Sequence, residues 1–197
     1  MEFLIDIYST IVGQFTNPKK RVFIFYLFLS LLIAFAWLIF KKKKTFVGSI
    51  KYIFDWNIFF SKSAKSDYKV FFINQVIMLL ISPHLLTQIT IATALYFFFF
   101  NINLFEIGHF SYIPQYLIVG LFTLFHFIVD DFSKYIVHRW MHRWPFLWAL
   151  HKVHHSATNL TPMTVFRTHP LEGLVFTLRS AVAQGFVIST FVYLFGS

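Results

Sequence analysis

From Val22 to Phe40 the chain reads VFIFYLFLSLLIAFAWLIF, nineteen positions with one Ser and no charged residue. At 1.5 Å rise per residue this run is about 28 Å long as a helix, close to the ~30 Å thickness of a bilayer's hydrocarbon core. Composition points the same way: only 13% of residues are charged, where a soluble domain carries about 25%. With 57% hydrophobic residues, 29 Phe and a mean hydropathy of +0.66, an ordinary soluble globule is excluded. A second apolar stretch, Val70 to Phe100, is interrupted by Pro83, which fits either one kinked helix or a helix plus a half-helix. A third begins near Tyr116, and its apolar part ends at Val129, where Asp130 opens a polar continuation. A fourth runs from about Leu171 to Phe195. The expected fold is therefore all-α, a multi-pass transmembrane helical bundle of about four spans. Residues 1–129 form a membrane-anchoring region with three spans, and residues 130–197 hold the remainder.

Charge orients the bundle. Three basic residues precede the first run and eight follow it between Lys41 and Lys69, which places the 41–69 segment in the cytoplasm and the N-terminus outside. The segment NINLFEIGHFSYIPQ has no Lys or Arg, as an outer loop should, and Lys134, Arg139 and Arg143 then fall on the basic side. Glu2 and Asp6 stand where a signal peptide would have a basic region, and no small-residue cleavage site follows. The first eighteen residues read instead as a weakly amphipathic interfacial segment. A net charge of +9 on so apolar a chain points to anionic membrane surface and away from nucleic acid. The absence of Cys excludes disulfides, iron–sulfur clusters and thiolate catalysis. Any metal must be held by His and carboxylates.

Six of the nine His lie between Asp130 and Glu172, in DDFSKYIVHRWMHRWPFLWALHKVHHSATNLTPMTVFRTHPLE. His138 and His142, at i and i+4 in a continuation of the third helix, project from one face about 5–6 Å apart. His151, His154 and His155 follow at i, i+3 and i+4, again one face if helical, and Pro145 marks the turn between the two groups. Five imidazoles without a thiolate suit a borderline divalent metal such as iron, zinc or manganese. Bis-His haem would use only a pair of them, and purely structural roles would need five coincidences. Asp131, seven positions before His138, lies about 20° off the same face and Tyr135 lies in the same stripe. Asp131 is a candidate to accept an imidazole N–H and fix the ligand tautomer; a solvated boundary charge is the other reading. Asp130 points about 80° from His138 and reads as interfacial. His126 sits off the ligand face, His109 in the outer loop, and His84 beside Pro83 reads as a structural residue bonded to a freed carbonyl. Arg179, inside the fourth run, is expected to snorkel or to pair with Glu172.

HRWMH, HKVHH followed by Ser156, and FRTHPLE together resemble the membrane-bound fatty acid hydroxylase and sterol desaturase superfamily, whose members carry an H-x3-H box, an H-x2-HH box and a further H-x2-HH box. The resemblance covers roughly Asp130 to Glu172. It implies a transmembrane core with a cytoplasmic His-rich cap holding two iron ions, and O2-dependent hydroxylation or desaturation of a lipid acyl chain or sterol. It makes His138, His142, His151, His154 and His155 metal ligands, with no catalytic residue beyond them. It adds His169 as a ligand or ligand support, with Arg167 close by. No His follows His169, so the third box is missing and the chain reads as a C-terminally truncated member. A catalytically inactive relative retaining two boxes for structure or partner binding is the alternative, and a zinc hydrolase with three ligands and an open position a further one. With no haem or flavin motif, electrons must come from a separate donor protein. Heavy Phe, Lys and Ile use fits an AT-rich bacterium, hence its inner membrane in preference to the endoplasmic reticulum.

Overall fold

Helix boundaries fall where the sequence supplies a cap. In the computed structural model, α1 spans Glu2–Thr16, α2 Ile24–Phe40, α3 Phe46–Ile53, α4 Trp56–Phe59, α5 Lys62–Ile81, α6 Gln88–Ile102, α7 Gln115–Arg143, α8 Pro145–His151 and α9 Pro170–Phe195. The structure describes all residues except Met1, Ser82, Pro83, His84, Leu86, Leu104 and Ser197, and the side chain of Glu2. No strand occurs among the described residues. The Thr45 hydroxyl accepts from Gly48 N at 3.1 Å, Asp55 from Asn57 N at 2.8 Å and Thr87 from Thr90 N at 3.1 Å, each satisfying an amide that the first helical turn leaves without a partner. Pro145 opens α8 at the position where its missing N–H costs nothing. Asn103 ends α6 in the left-handed conformation, φ 52°.

The chain forms two compact units, residues 1–83 with 151–170 and residues 84–150 with 171–197. In the first, α5 is central. Its buried residues Ser63, Ala64, Asp67, Phe71, Asn74 and Gln75 fall on one helical face, yet most of them are polar. Several of these polar groups find partners within the unit: Gln75 Oε1 accepts from Gln14 Nε2 of α1 at 3.1 Å, and Asn74 Nδ2 donates to the carbonyls of Phe166 and Thr168 at 3.4 and 2.9 Å, while Asn74 Oδ1 is buried without a hydrogen bond. Phe71 packs on Phe166, ring centroids 4.7 Å apart. The expected second apolar stretch from Val70 is thus divided between α5 and α6, and α5 starts at Lys62, inside the basic segment. Its inner face is built for hydrogen bonds, which lipid cannot supply. Pro83 and His84 lie outside the described residues.

In the second unit α7 and α9 are joined by Ile118, Val187 and Phe191, with Phe122, Val129 and Phe195 against them. Gly185 lets α6 approach α9: a Cβ there would meet Ile91 Cγ2 at 2.9 Å and the Gln88 carbonyl at 3.0 Å. Arg179 Nη1 of α9 donates to Asp130 Oδ1 at 2.8 Å, to the Asp130 carbonyl at 2.9 Å and to Ser133 Oγ at 2.9 Å on α7. This corrects the expected pairing of Arg179 with Glu172. A residue seven positions along its own helix lies about 10 Å away along the axis, whereas a neighbouring helix places Asp130 alongside. At the other end of α9, Gly108 N donates to the Tyr193 carbonyl and Phe110 N to the Leu194 carbonyl, both at 2.9 Å.

α7 and α9 are long and apolar enough to cross a membrane; α2 and α6, with 17 and 15 residues, are apolar but shorter. Along α7 the side chains of Leu117, Val119, Leu121, Leu124, Phe127 and Ile128 are exposed. Apolar side chains exposed on more than one side of a helix are what lipid, and not water, accommodates.

Candidate metal centre

α7 runs without a break from its apolar part into HRWMH, so the i, i+4 spacing of His138 and His142 is realised on one helix face. Their Nε2 atoms lie 3.1 Å apart and their rings 4.8 Å apart at 52°. Both are exposed. Trp148 of α8 lies against the His142 ring, centroids 5.4 Å apart, and Trp140 stacks on Trp144 at 5.8 Å, so aromatic packing braces this end of α7.

The second His group is built differently from the expected single helix. α8 ends at His151, and His154–Ser156 form a separate 3-10 helix. The three imidazoles still gather: ring centroids are 5.7 Å apart for His151–His154, 4.8 Å for His151–His155 and 5.3 Å for His154–His155. The Nε2 atoms of His151 and His155 are 3.1 Å apart. His151 is 1% exposed, while His154 and His155 face outward.

The two pairs share a geometry that tests the donor set. With metal–nitrogen bonds of about 2.1 Å, ligand atoms 3.1 Å apart subtend about 95° at a shared ion. Neutral nitrogen donors of this kind suit a divalent first-row metal such as iron. The residues present therefore fit a metal.

Behind the second group lies a buried network that the sequence does not announce. Arg167, 4% exposed, sends Nε to Asp67 Oδ1 at 2.5 Å, Nη1 to Ser63 Oγ at 3.2 Å and Nη2 to the Ser63 carbonyl at 2.6 Å. Asp67, fully buried, also accepts from the Thr164 hydroxyl at 2.7 Å. Thr158 N donates to Ser63 Oγ at 3.2 Å. The loop that leaves HKVHH is thereby tied to α5 at Thr158, Thr164 and Arg167. His169, half-buried, follows Thr168, whose carbonyl Asn74 holds. Asp67 went unnoticed among Lys62, Lys65 and Lys69, where one carboxylate reads as a solvated charge. The only available signal was an acid and an arginine in apolar company a hundred positions apart.

The remaining candidates are placed as follows. Asp131 is exposed on α7. The Tyr135 hydroxyl accepts from Arg139 Nη1 at 3.1 Å. His126 stacks on Phe122 at 5.8 Å and His109 lies between Phe105 and Phe110 at 5.5 and 4.8 Å. His84 is outside the described residues.

Comparison with known proteins bears on this segment. The fatty acid hydroxylase family matches residues 123–197, which include both His groups and the Arg167 loop. A Delta(7)-sterol 5(6)-desaturase of Eremothecium gossypii is 38% identical over 64 residues, 32% of this chain and 18% of that protein. The Delta(7)-sterol 5(6)-desaturase of Saccharomyces cerevisiae is 40% identical over 60 residues, 30% of this chain and 16% of that protein. The aligned part is thus less than a fifth of either relative's length. No solved structure matches the chain. Residues 123–197 are thus similar to the fatty acid hydroxylase family, and part of the chain is similar to two sterol desaturases.

Proposed function

We propose that the chain is an integral, multi-pass membrane oxygenase that hydroxylates or desaturates a lipid acyl chain or a sterol with O2. Two irons would be held by His138, His142, His151, His154 and His155, with His169 as a further ligand or support. The observation that carries this reading is the 3.1 Å separation of Nε2 atoms in both His pairs, within the stretch that matches the family. Bound iron would supply O2 activation and attack on an unactivated C–H bond, chemistry beyond any side chain.

The protein's own part is positional. The i, i+4 turn of α7 presets one pair of nitrogens, and burial shelters His151 of the other pair from water. Arg167, Asp67 and Thr164 hold the loop after His155 so that its imidazole does not need to be ordered anew when metal enters. Exposed apolar faces on α7 and α9 allow substrate to arrive sideways from the bilayer. Each turnover would draw a pair of electrons from a separate donor protein on the aqueous side. The excess of basic residues between Lys41 and Lys69 supports a cytoplasmic location for the His boxes, in a bacterial inner membrane.

Metal analysis of protein purified from membranes tests the reading, together with mass spectrometry of lipids from cells expressing it. Two irons per chain and a hydroxylated or newly unsaturated lipid are the expected results. One zinc would favour a hydrolase, and a metal-free protein that leaves lipids unchanged would favour the structural, partner-binding alternative.

A further inference from the structure

The 3-10 helix that carries His154 and His155 is also one wall of an open pocket of about 340 Å³ in the first unit. That is roughly eleven times the ~30 Å³ share of one water molecule, room for a head group and the first part of a chain. Facing the wall, α5 contributes Lys62, Ser66 and Val70 at i, i+4 and i+8, so a single helical stripe lines the opposite side. The wall itself adds Ser156 and Thr158, with Val153 below them.

The charges decide what this pocket takes. Arg167 reaches it, but Asp67 answers its guanidinium at 2.5 Å. Lys62 has no carboxylate partner among the described residues, so the pocket carries an uncompensated ammonium beside a set of hydroxyls. The Ser66 and Ser156 hydroxyls donate to the Lys62 and Val153 carbonyls, which leaves the Lys62 ammonium and the Thr158 hydroxyl as the donor set for a phosphate or carboxylate. Val70 and Val153 supply apolar wall that a free inorganic anion would leave unused.

We infer that this pocket binds the anionic head group of a lipid, phosphate or carboxylate, with its chain leaving along the valine side past the second His group. Resting on the function proposed above, this makes the substrate class an acyl lipid with a negatively charged head, as opposed to a neutral sterol. Lys62 and Thr158 are then specificity-determining residues, and neither is a metal ligand.

Native mass spectrometry of the full chain in detergent, as isolated with its metal, tests this. Phosphatidylglycerol, phosphatidylcholine with the same acyl chains, and ergosterol are added in turn, with inorganic phosphate as competitor. Phosphatidylglycerol adducts are expected to exceed those of phosphatidylcholine and ergosterol by roughly tenfold. Lys62→Gln should lower that preference about fivefold, the order of one lysine's contribution at an anionic lipid surface. Thr158→Val, which keeps the backbone N–H that ties the loop to Ser63, should lower it further in the double variant. Lys65→Gln, on the same helix but outside the pocket, should leave it unchanged. Equal retention of charged and neutral lipids overturns the inference, as does a loss in Lys65→Gln equal to that in Lys62→Gln. Displacement by equimolar inorganic phosphate also overturns it, since the site would then hold an anion only. Iron counted in the same samples separates the two proposals. Selectivity without iron supports the head-group site while sinking the oxygenase reading, and iron without selectivity does the opposite.

Discussion

Removing Asp67 should do more damage than any other single change outside the His boxes. Asp67 is fully buried and Arg167 is 4% exposed; the pair meets at 2.5 Å, and the Thr164 hydroxyl adds a bond of 2.7 Å. In Asp67→Ala, Arg167 keeps its bonds to Ser63 but loses its counter-charge in a place water does not reach. Breaking one partner of a buried pair typically costs about 3–5 kcal/mol. The lost Thr164 bond lies within that range, because the two effects share one carboxylate. Chemical denaturation in detergent, followed by tryptophan fluorescence and closed as a cycle with Arg167→Met and the double variant, measures it. Each single variant should lose several kcal/mol and the double variant should recover part of the loss, since it leaves no buried charge. A loss below about 1 kcal/mol in Asp67→Ala, or a double variant as damaged as the sum of the singles, would refute the account of Arg167 as a buried cation dependent on that carboxylate.

His154→Ala should reduce bound metal to a small fraction while the fold, read by circular dichroism, persists, since His154 faces outward; retention of full metal content would remove it from the ligand set. Gly185→Ala forces contact with Ile91 and the Gln88 carbonyl at 2.9 and 3.0 Å and should cost roughly 1–3 kcal/mol by overpacking, visible as a lower midpoint in thermal aggregation in detergent. Arg179→Met removes bonds to Asp130 and Ser133 and should cost about 1.5–3 kcal/mol, whereas Glu172→Gln should not reproduce the loss of those contacts in a double-mutant cycle with Asp130→Asn.

Long-period features were legible in the sequence, and pairings across the chain were not. The runs at 22–40 and 171–195 correspond to α2 and α9 to within a few residues, and the run from 116 opens α7, which continues through the polar segment to Arg143, because an uninterrupted apolar run has one good way to satisfy its backbone. His138 and His142 could be paired on paper because four residues make about one helical turn. The same rule gave the right gathering but the wrong scaffold for His151, His154 and His155, since a 3-10 turn also brings nearby residues together. Asp67 with Arg167 and Asp130 with Arg179 could not be read at all: each joins segments whose adjacency is set by packing, and local spacing carries no trace of it. The polar inner face of α5 was hidden for a related reason, as Ser63, Asn74 and Gln75 look unremarkable until their partners on α1 and the Phe166–Thr168 stretch are known.

The segment after α6 fastens to the last turn of α9 mainly through peptide groups: Gly108 N to the Tyr193 carbonyl, Phe110 N to the Leu194 carbonyl, and the Tyr193 hydroxyl to the Phe105 carbonyl. Main-chain grips are indifferent to most side chains, so substitution across this stretch should be widely tolerated. Gly108 is the exception, since its φ of 70° disfavours any residue with a Cβ. Tyr193 is the other, being the one side chain that takes part. A saturation library over 105–112 should therefore show its sharpest minimum at Gly108, matched on α9 by Tyr193, a pattern set by helix-end carbonyls that need donors where lipid offers none.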